Sequence, residues 1–224
     1  MRVSTKKAVL FSILSLLLNT AVSNVSQAGE KTLPEHETIA PAAAKKVEVT
    51  EASFKCLHEM TKVGDLYVDN LLGDLDGTLA IAKSPNGGIY PPGSVVQLLP
   101  GEAMVKLEKG AHPSTNDWEF FDLEVSPEGS KIKQGGFEEV KNMFGTCISC
   151  HQQPSAPQAD MICAAGHACP PVVFPCGINT EVLIAALQKT DKRCSGPEAP
   201  TPEELAELKK LQDCLAAAAA AGGQ

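Results

Sequence analysis

The longest extended stretch of this 224-residue chain is Asp117-Trp-Glu-Phe-Phe-Asp-Leu-Glu-Val125. Its apolar and acidic residues recur near a period of two, which is typical of a strand in a sheet. Two shorter runs of the same kind precede it, and Ser126-Pro-Glu-Gly129 has the composition of a turn. The other extended runs are Ser94 to Leu99, Met104 to Leu107 and, after the turn, Ser130 to Lys133. The centre of the chain is therefore predicted to be an antiparallel sheet.

Apolar residues at helical spacing on both sides of this block predict helices. Before the sheet, helices are expected from Thr50 to Met60 and from Leu72 to Ala82, the second stopped by the turn formers at 84–88. After it, they are expected over Phe137 to Phe144, Glu181 to Lys189 and Thr201 to Gly222. The predicted class is α+β, a mainly antiparallel sheet with flanking helices.

A short motif, Cys147-Ile-Ser-Cys150-His151, follows the predicted sheet. Cys-x-x-Cys-His is the attachment signature of haem c, in which both thiols become thioethers and the histidine ligates the iron. Cys147 and Cys150 are therefore the predicted anchors, and His151 is the predicted proximal ligand. The alternatives are a redox dithiol, which would need a βαβ setting, and half of a zinc site, which would need a second close ligand pair.

The amino terminus has the pattern of a secretory signal over residues 1–28, with a basic start, an apolar stretch and a small-residue exit at Ser26-Gln-Ala28. An uncleaved membrane anchor is the alternative. Residues 29–50 are expected to be a flexible leader, 51–195 a haem-binding domain with a cysteine-rich extension, and 196–224 a linker and helix. Export to the periplasm agrees with haem c, which bacteria attach outside the cytoplasm.

The chain is acidic, with a formal net charge of -8, and the predicted signal carries only positive charges. This balance argues against nucleic acid and against an anionic membrane as partners of the mature chain. It is compatible with a basic redox protein, although solubility alone would also explain it. Nothing in the sequence indicates the oligomeric state.

Six further cysteines lie outside the motif, and an even number in an exported protein predicts disulfides. Cys163 with Cys169 is the simplest local pair, and Cys56 with either Cys194 or Cys176 would join the region before the sheet to the region after the motif. The alternative is a metal site built from Cys163, His167 and Cys169. The full set is Cys56, Cys163, Cys169, Cys176, Cys194 and Cys214.

Residues 88–153 resemble the cytochrome P-460 superfamily, which includes the cytochrome c′-beta branch. The resemblance is carried by Tyr90-Pro-Pro-Gly-Ser-Val-Val-Gln97, Met104-Val-Lys106, Asp117-Trp-Glu-Phe-Phe121 with its Pro-Glu-Gly turn, and Phe144-Gly-Thr-Cys-Ile-Ser-Cys-His151. The motif alone occurs in unrelated cytochromes, but its position after a strand-rich block is more specific. The resemblance implies an antiparallel fold that binds one haem c at the sheet, with a histidine proximal ligand and often an open distal face.

The resemblance also implies two kinds of activity. Enzymes of the group oxidise hydroxylamine with a lysine cross-linked to the haem, and other members bind nitric oxide. Lys106 is the candidate lysine and catalytic residue, with a solvent-facing Lys106 as the alternative, while the position that aligns more closely is Gln97.

The sixth iron ligand separates the functions, because a second strong ligand suits electron transfer and an open apolar face admits small ligands. Met161 is the candidate distal ligand, with a core methionine as the alternative, and His167 is a further candidate. The sequence thus predicts a periplasmic cytochrome for electron transfer or small-ligand redox chemistry. Its partner would be a redox protein or a small nitrogen-oxide ligand. The alternatives are a hydroxylamine or nitrogen-oxide oxidising enzyme, a nitric oxide binding module, and a haem-free structural protein whose cysteines serve only as disulfide cross-links.

Overall fold

The computed structural model describes residues 45–142, 145–152, 159–162, 173–196 and 198–222. The chain divides into the units Met1–Ala42 and Ala43–Gln224, and every described residue belongs to the second. The predicted signal, most of the leader, and Cys163, His167 and Cys169 lie outside the described residues. Among the residues that are described, none of the helices combines the length and the apolar character needed to cross a bilayer.

Within the described residues the main sheet has six strands, paired antiparallel in the order of the chain. The strands are β1 (Thr61–Val63), β2 (Leu66–Asn70), β3 (Ser94–Gln97), β4 (Glu102–Lys106), β5 (Trp118–Ser126) and β6 (Gly129–Gly136). The predicted mainly antiparallel sheet is confirmed, with β5 as its longest strand. The sequence patterns did not predict β1 and β2, which are three and five residues long.

Alternation along the strands sorts apolar side chains to two faces of this sheet. Val95, Val105 and Phe121 belong to a buried cluster on one face, which the segment around Phe54 and Leu57 covers. The opposite face carries a second buried cluster of Val68, Tyr90, Val96, Met104, Trp118, Phe120, Val140 and Ile162. This second face is the one that the motif helix approaches.

The predicted helix from Phe137 to Phe144 is wrong. Lys141–Asn142 is a short strand, β7, paired with β8 at Gly145–Thr146. The main chain of Lys141 is hydrogen-bonded to the Gln134 side chain rather than to helical partners. The helix lies further along instead, as α2 at Cys147–His151.

The predicted helix from Thr50 to Met60 is also wrong in type. The chain makes two separate 3-10 turns there, Glu51–Ser53 and Leu57–Glu59. Between them the backbone N–H of Leu57 donates to the Asp191 carboxylate at 3.0 Å, and Cys56 is bonded to Cys194. These distant contacts hold the backbone away from a continuous helix. Earlier still, Val47 is buried against the sheet, so the end of the predicted leader packs on the domain.

The remaining helices agree with the sequence patterns. They are α1 (Leu75–Ala82), α3 (Thr180–Lys189) and α4 (Pro202–Gly222). The side chain of Asn179 caps α3. Helix α4 begins with a capping box, because Thr201 and Glu204 exchange backbone to side-chain hydrogen bonds.

Helices α3 and α4 share a small apolar cluster of their own. Its buried residues are Phe174, Ile178 and Leu183, with Leu187, Leu208 and Leu211 packed around them. A disulfide between Cys176 and Cys214 joins the start of this region to α4. The bridge between Cys56 and Cys194 confirms one of the two predicted long-range pairings and ties the region after α3 to the edge of the sheet domain.

Candidate functional site

The motif helix α2 starts directly after the hairpin that β7 and β8 form. Gly145, with a φ of 127°, adopts in that hairpin a backbone conformation that residues with a Cβ rarely reach. The backbone N–H of Cys147 donates to the carbonyl of the buried Val140 at 2.9 Å, which fixes the start of the helix against the sheet. Residues three and four apart share a helix face, so Cys147 presents the same face as Cys150 and His151.

That face borders a cavity of about 490 Å³. Cys147, Cys150 and His151 all line it, opposite apolar side chains of the sheet and of the segments after the motif. Its apolar walls include Leu66, Val96, Leu98, Phe120, Ile162 and Phe174. The structure therefore brings the three predicted motif residues to one largely apolar pocket of a size typical of small-molecule and cofactor sites.

The His151 ring is held by a hydrogen bond and by packing. Its Nδ1 lies 2.9 Å from the backbone carbonyl of Met161, and its centroid lies 5.4 Å from that of Phe120. Burial lowers the pKa of His151, although the bond to Met161 opposes the shift, so the neutral ring is favoured. A carbonyl only accepts, so Nδ1 carries the proton and Nε2 keeps its lone pair for a metal.

The Cys147 thiol differs from the nucleophilic thiol of a redox dithiol. Neither Cys147 nor Cys150 forms a disulfide within the described part of the chain. Burial, together with the negative charges of Glu102 and Asp122, raises the pKa of Cys147 to about 11. A reactive redox dithiol requires a thiolate, which a raised pKa of Cys147 disfavours. The arrangement suits a thiol that is consumed in a covalent attachment better than one that must ionise.

Glu102 and Asn142 form a hydrogen-bonded pair at the cavity that was not predicted from the sequence. Asn142 donates through Nδ2 to Oε1 of Glu102 at 2.6 Å, and both residues border the pocket. Burial raises the pKa of Glu102, an effect that Asn142 opposes and Asp122 reinforces. A carboxyl group with a raised pKa keeps its proton to higher pH than an exposed one. The signal available in the sequence was that Glu102 lies two residues before Met104 and so shares its strand face.

Met104 was also missed as a site residue. It is buried on β4, faces the second cluster, and lines the cavity beside Phe120, its cross-strand neighbour. A thioether is one of the axial ligands that cytochromes use. The sequence had indicated Met161 because it follows the motif, whereas strand alternation brings Met104 to the pocket.

Lys106 occupies the same strand face but does not line the cavity. Its side chain is 5% exposed, and its Nζ lies 2.8 Å from both carboxylate oxygens of Asp160. The solvent-facing alternative for Lys106 is therefore wrong. Gln97 lies on β3 next to Val96, so strand alternation directs it to the other face, and its Nε2 donates to the carbonyl of Glu102.

Met161 contributes a main-chain atom to the site. Its carbonyl receives the His151 Nδ1 proton, and its side chain packs against the second cluster and is not among the groups that line the cavity. The structure thus places Met161 behind the imidazole, on the side away from Nε2. His167, the other distal candidate, lies outside the described residues.

A group of metal-ligand type occurs elsewhere in the described residues. Cys56, His58 and Cys194 bring their ligand atoms within 4.8 Å of one another. The two sulfur atoms are joined in a disulfide, which leaves no thiolate for a metal. This group is consequently structural as it stands.

Comparisons of the chain with models of known families, with curated proteins and with solved structures found no match. The functional interpretation of the chain therefore depends on the residues that line the cavity and on those that hold His151.

Proposed function

We propose that this chain is a periplasmic c-type cytochrome that carries one covalent haem in the cavity beside α2. Its role would be electron transfer or small-ligand redox chemistry. The observation that carries the proposal is the convergence of Cys147, Cys150 and His151 on one apolar pocket. Cys147 and Cys150 would form the thioethers, and Nε2 of His151 would ligate the iron.

The donor set fits this prosthetic group. The two thiols and the imidazole share one helix face, and the imidazole is neutral with its Nδ1 occupied by the Met161 carbonyl. Such a bond to the outer nitrogen is the usual support of a metal-bound histidine, because it sets the ring orientation and increases its basicity. When bound, haem c supplies reversible one-electron chemistry and an iron coordination position.

We propose membership of the cytochrome P-460 superfamily on the resemblance of residues 88–153. An antiparallel sheet that precedes the motif supports this assignment. Lys106 gives no support to the lysine cross-link of the hydroxylamine-oxidising enzymes, because it is paired with Asp160 away from the cavity. Glu102 is the observation that favours an enzyme, since it would place a proton-holding group at the pocket. The apolar walls favour the nitric oxide binding alternative.

The proposed location and partners follow from charge and cysteine chemistry. Two disulfides in the described residues agree with an oxidising compartment. The acidic balance of the chain supports a basic redox protein as the electron-transfer partner. A small nitrogen oxide is the other proposed partner, at the cavity itself.

The decisive test is production of the chain in a host with haem-attachment machinery. We expect intact mass analysis to show one added haem, and haem staining to survive denaturing electrophoresis. The double variant Cys147→Ser, Cys150→Ser should lose both signals. The control Cys176→Ser, Cys214→Ser, which also replaces two cysteines but removes a disulfide instead, should keep both signals. A wild-type chain without added mass would overturn the proposal.

Absorption spectra of the loaded protein then separate the roles. A low-spin spectrum that nitric oxide leaves unchanged supports a carrier. An iron with one protein ligand that binds nitric oxide tightly supports a binding module. Consumption of hydroxylamine with an added electron acceptor supports the enzyme.

A further inference from the structure

A buried ion pair lies on the strand face that borders the cavity, further along β4. Lys106 Nζ contacts both oxygens of Asp160 at 2.8 Å and donates to the carbonyl of Asn116 at 2.6 Å. The side chains of Lys106 and Asp160 are 5% and 0% exposed. Desolvation offsets much of the attraction in such a pair, so stability alone is a weak reason for its presence.

Asp160 is bound to the sheet domain through its main chain as well as its carboxylate. Its backbone carbonyl accepts from Nε1 of Trp118 at 2.8 Å, and its carboxylate also accepts from the backbone N–H of Tyr90 at 2.9 Å. Asp160 and Met161 both have left-handed backbone angles, with φ of 47° and 64°. Residues other than glycine keep this conformation only where surrounding contacts impose it.

The turn held in this way presents one group to the candidate site. The carbonyl of Met161 faces the imidazole of His151 and lies 2.9 Å from Nδ1. A continuous set of contacts therefore runs from Lys106 through Asp160 and Met161 to the ring. Lys106 and Asp160 themselves are not among the residues that line the cavity.

We propose that Lys106 and Asp160 are positioning residues for His151. Their ion pair holds the left-handed turn, the turn places the Met161 carbonyl at Nδ1, and that bond keeps the Nδ1–H tautomer with Nε2 directed away from the turn. The part of this inference that concerns ligation of the iron by Nε2 rests on the proposed function. The part that concerns the tautomer of the His151 ring does not depend on haem.

The test uses a double variant and a matched control. Lys106→Met with Asp160→Asn removes the charges of the pair while roughly preserving its volume. Arg193→Met with Asp191→Asn does the same to the other buried ion pair, whose side chains are 2% and 0% exposed and which lies near Leu57 and Phe54. Both variants lose a buried pair, so a merely structural role predicts similar results for the two.

The first readout is nitrogen NMR of the haem-free chain labelled at histidine, with the His151 signal identified by its absence from a His151→Ala variant. The wild type and the control should show a single tautomer with the proton on Nδ1. The Lys106 and Asp160 variant should show an averaged mixture of tautomers. A single unchanged tautomer in that variant would overturn the inference, whether or not the chain ever carries haem.

The second readout is the midpoint potential of the haem-loaded protein. Loss of the bond to Nδ1 makes the imidazole a weaker donor, so the potential should move in the positive direction in the Lys106 and Asp160 variant. The control should stay within error of the wild type. Equal shifts in both variants would contradict the assignment.

If the Lys106 and Asp160 double variant does not fold, a single substitution that perturbs the same turn less can be tested instead. Trp118→Phe removes the hydrogen bond to the Asp160 carbonyl and the indole contact with Lys106 Nζ, but it keeps both charged groups of the ion pair. Its potential and its nitrogen spectrum should change in the same directions by a smaller amount. If both remain those of the wild type, the turn does not control the ring and the inference fails.

Discussion

At the scale of single residues, Glu102, Met104 and Lys106 lie on the same face of β4 but differ in chemistry: a carboxyl group, a thioether and an ammonium group. Glu102 and Met104 border the cavity, whereas Lys106 is buried in an ion pair beyond it. The residues alternate with Ala103 and Val105, which face the other cluster. Position along a single strand thus decides which side chain can reach a bound group.

The thioether of Met104 provides the first prediction. In the haem-loaded protein, Met104→Leu should change a six-coordinate spectrum to that of an iron with one protein ligand, because Met104 is the methionine that lines the cavity among the residues that the structure describes. Met161→Leu should leave the spectrum unchanged, since Met161 acts through its carbonyl. An identical spectrum before and after Met104→Leu would instead favour an open face and a ligand-binding role.

Glu102 provides a prediction on stability and pH. Burial raises the pKa of Glu102 above its value in the unfolded chain, so its ionisation opposes folding as the pH rises through the folded-state pKa. Glu102→Gln keeps an acceptor for Asn142 and removes the ionisation. Thermal unfolding of the haem-free chain should therefore show the variant more stable than the wild type at neutral pH. The difference should shrink towards pH 4, and a constant difference would contradict the shift.

At the scale of elements, the segment after α3 connects parts of the chain that are far apart in sequence. Asp191 accepts from the backbone N–H of Leu57, and Arg193 donates to Ser130 and to the carbonyl of Phe54. Burial alone raises the pKa of Asp191, but Arg193 and the backbone N–H groups overcome this effect and lower it.

Loss of the Asp191 carboxylate should be costly. Asp191→Ala leaves Arg193 buried without its partner and should reduce the free energy of unfolding by about 3–5 kcal/mol. A lowered pKa stabilises the fold above the unfolded-state pKa and loses that effect as the pH falls, so the deficit should shrink in acid. Urea titrations at several pH values measure both effects. The control, Asp213→Ala in the exposed pair with Lys209, should change the stability little, and an equal loss there would refute the interpretation.

At the scale of the whole molecule, two disulfides close loops of different length. The bridge between Cys56 and Cys194 spans 138 residues, and the bridge between Cys176 and Cys214 spans 38. Loop-closure entropy predicts a stabilisation of about 5 kcal/mol for the first and about 4 kcal/mol for the second. The longer bridge also joins the sheet domain to the region after α3.

Replacement of each pair by serine should therefore have different effects. The variant Cys56→Ser, Cys194→Ser should lose more stability to urea than Cys176→Ser, Cys214→Ser. The second variant should loosen the contacts between α3 and α4 while the sheet keeps its protection against hydrogen exchange, because a separate apolar cluster joins these helices. Equal losses of sheet protection in the two variants would show that α4 is needed for the sheet.

Much of this fold was predictable from local patterns. The alternation in residues 94–97 and 118–126 predicted central strands, and the helical spacing of apolar residues predicted α4. The helix expected from Phe137 to Phe144 does not form, because hydrogen bonds from the Gln134 side chain and pairing with Gly145–Thr146 compete with helical hydrogen bonds. Neither interaction can be recognised from the spacing of apolar residues.

The sequence by itself determined the motif Cys147 to His151, the class of the fold and the alternation that gives the sheet two apolar faces, because each depends on neighbours in the chain. Only the tertiary structure decided that Met104 and Glu102 border the motif, that Lys106 pairs with Asp160, and that the Met161 carbonyl orients His151. Those contacts join residues ten to more than fifty positions apart, and packing of the sheet against the segments after it brings them together.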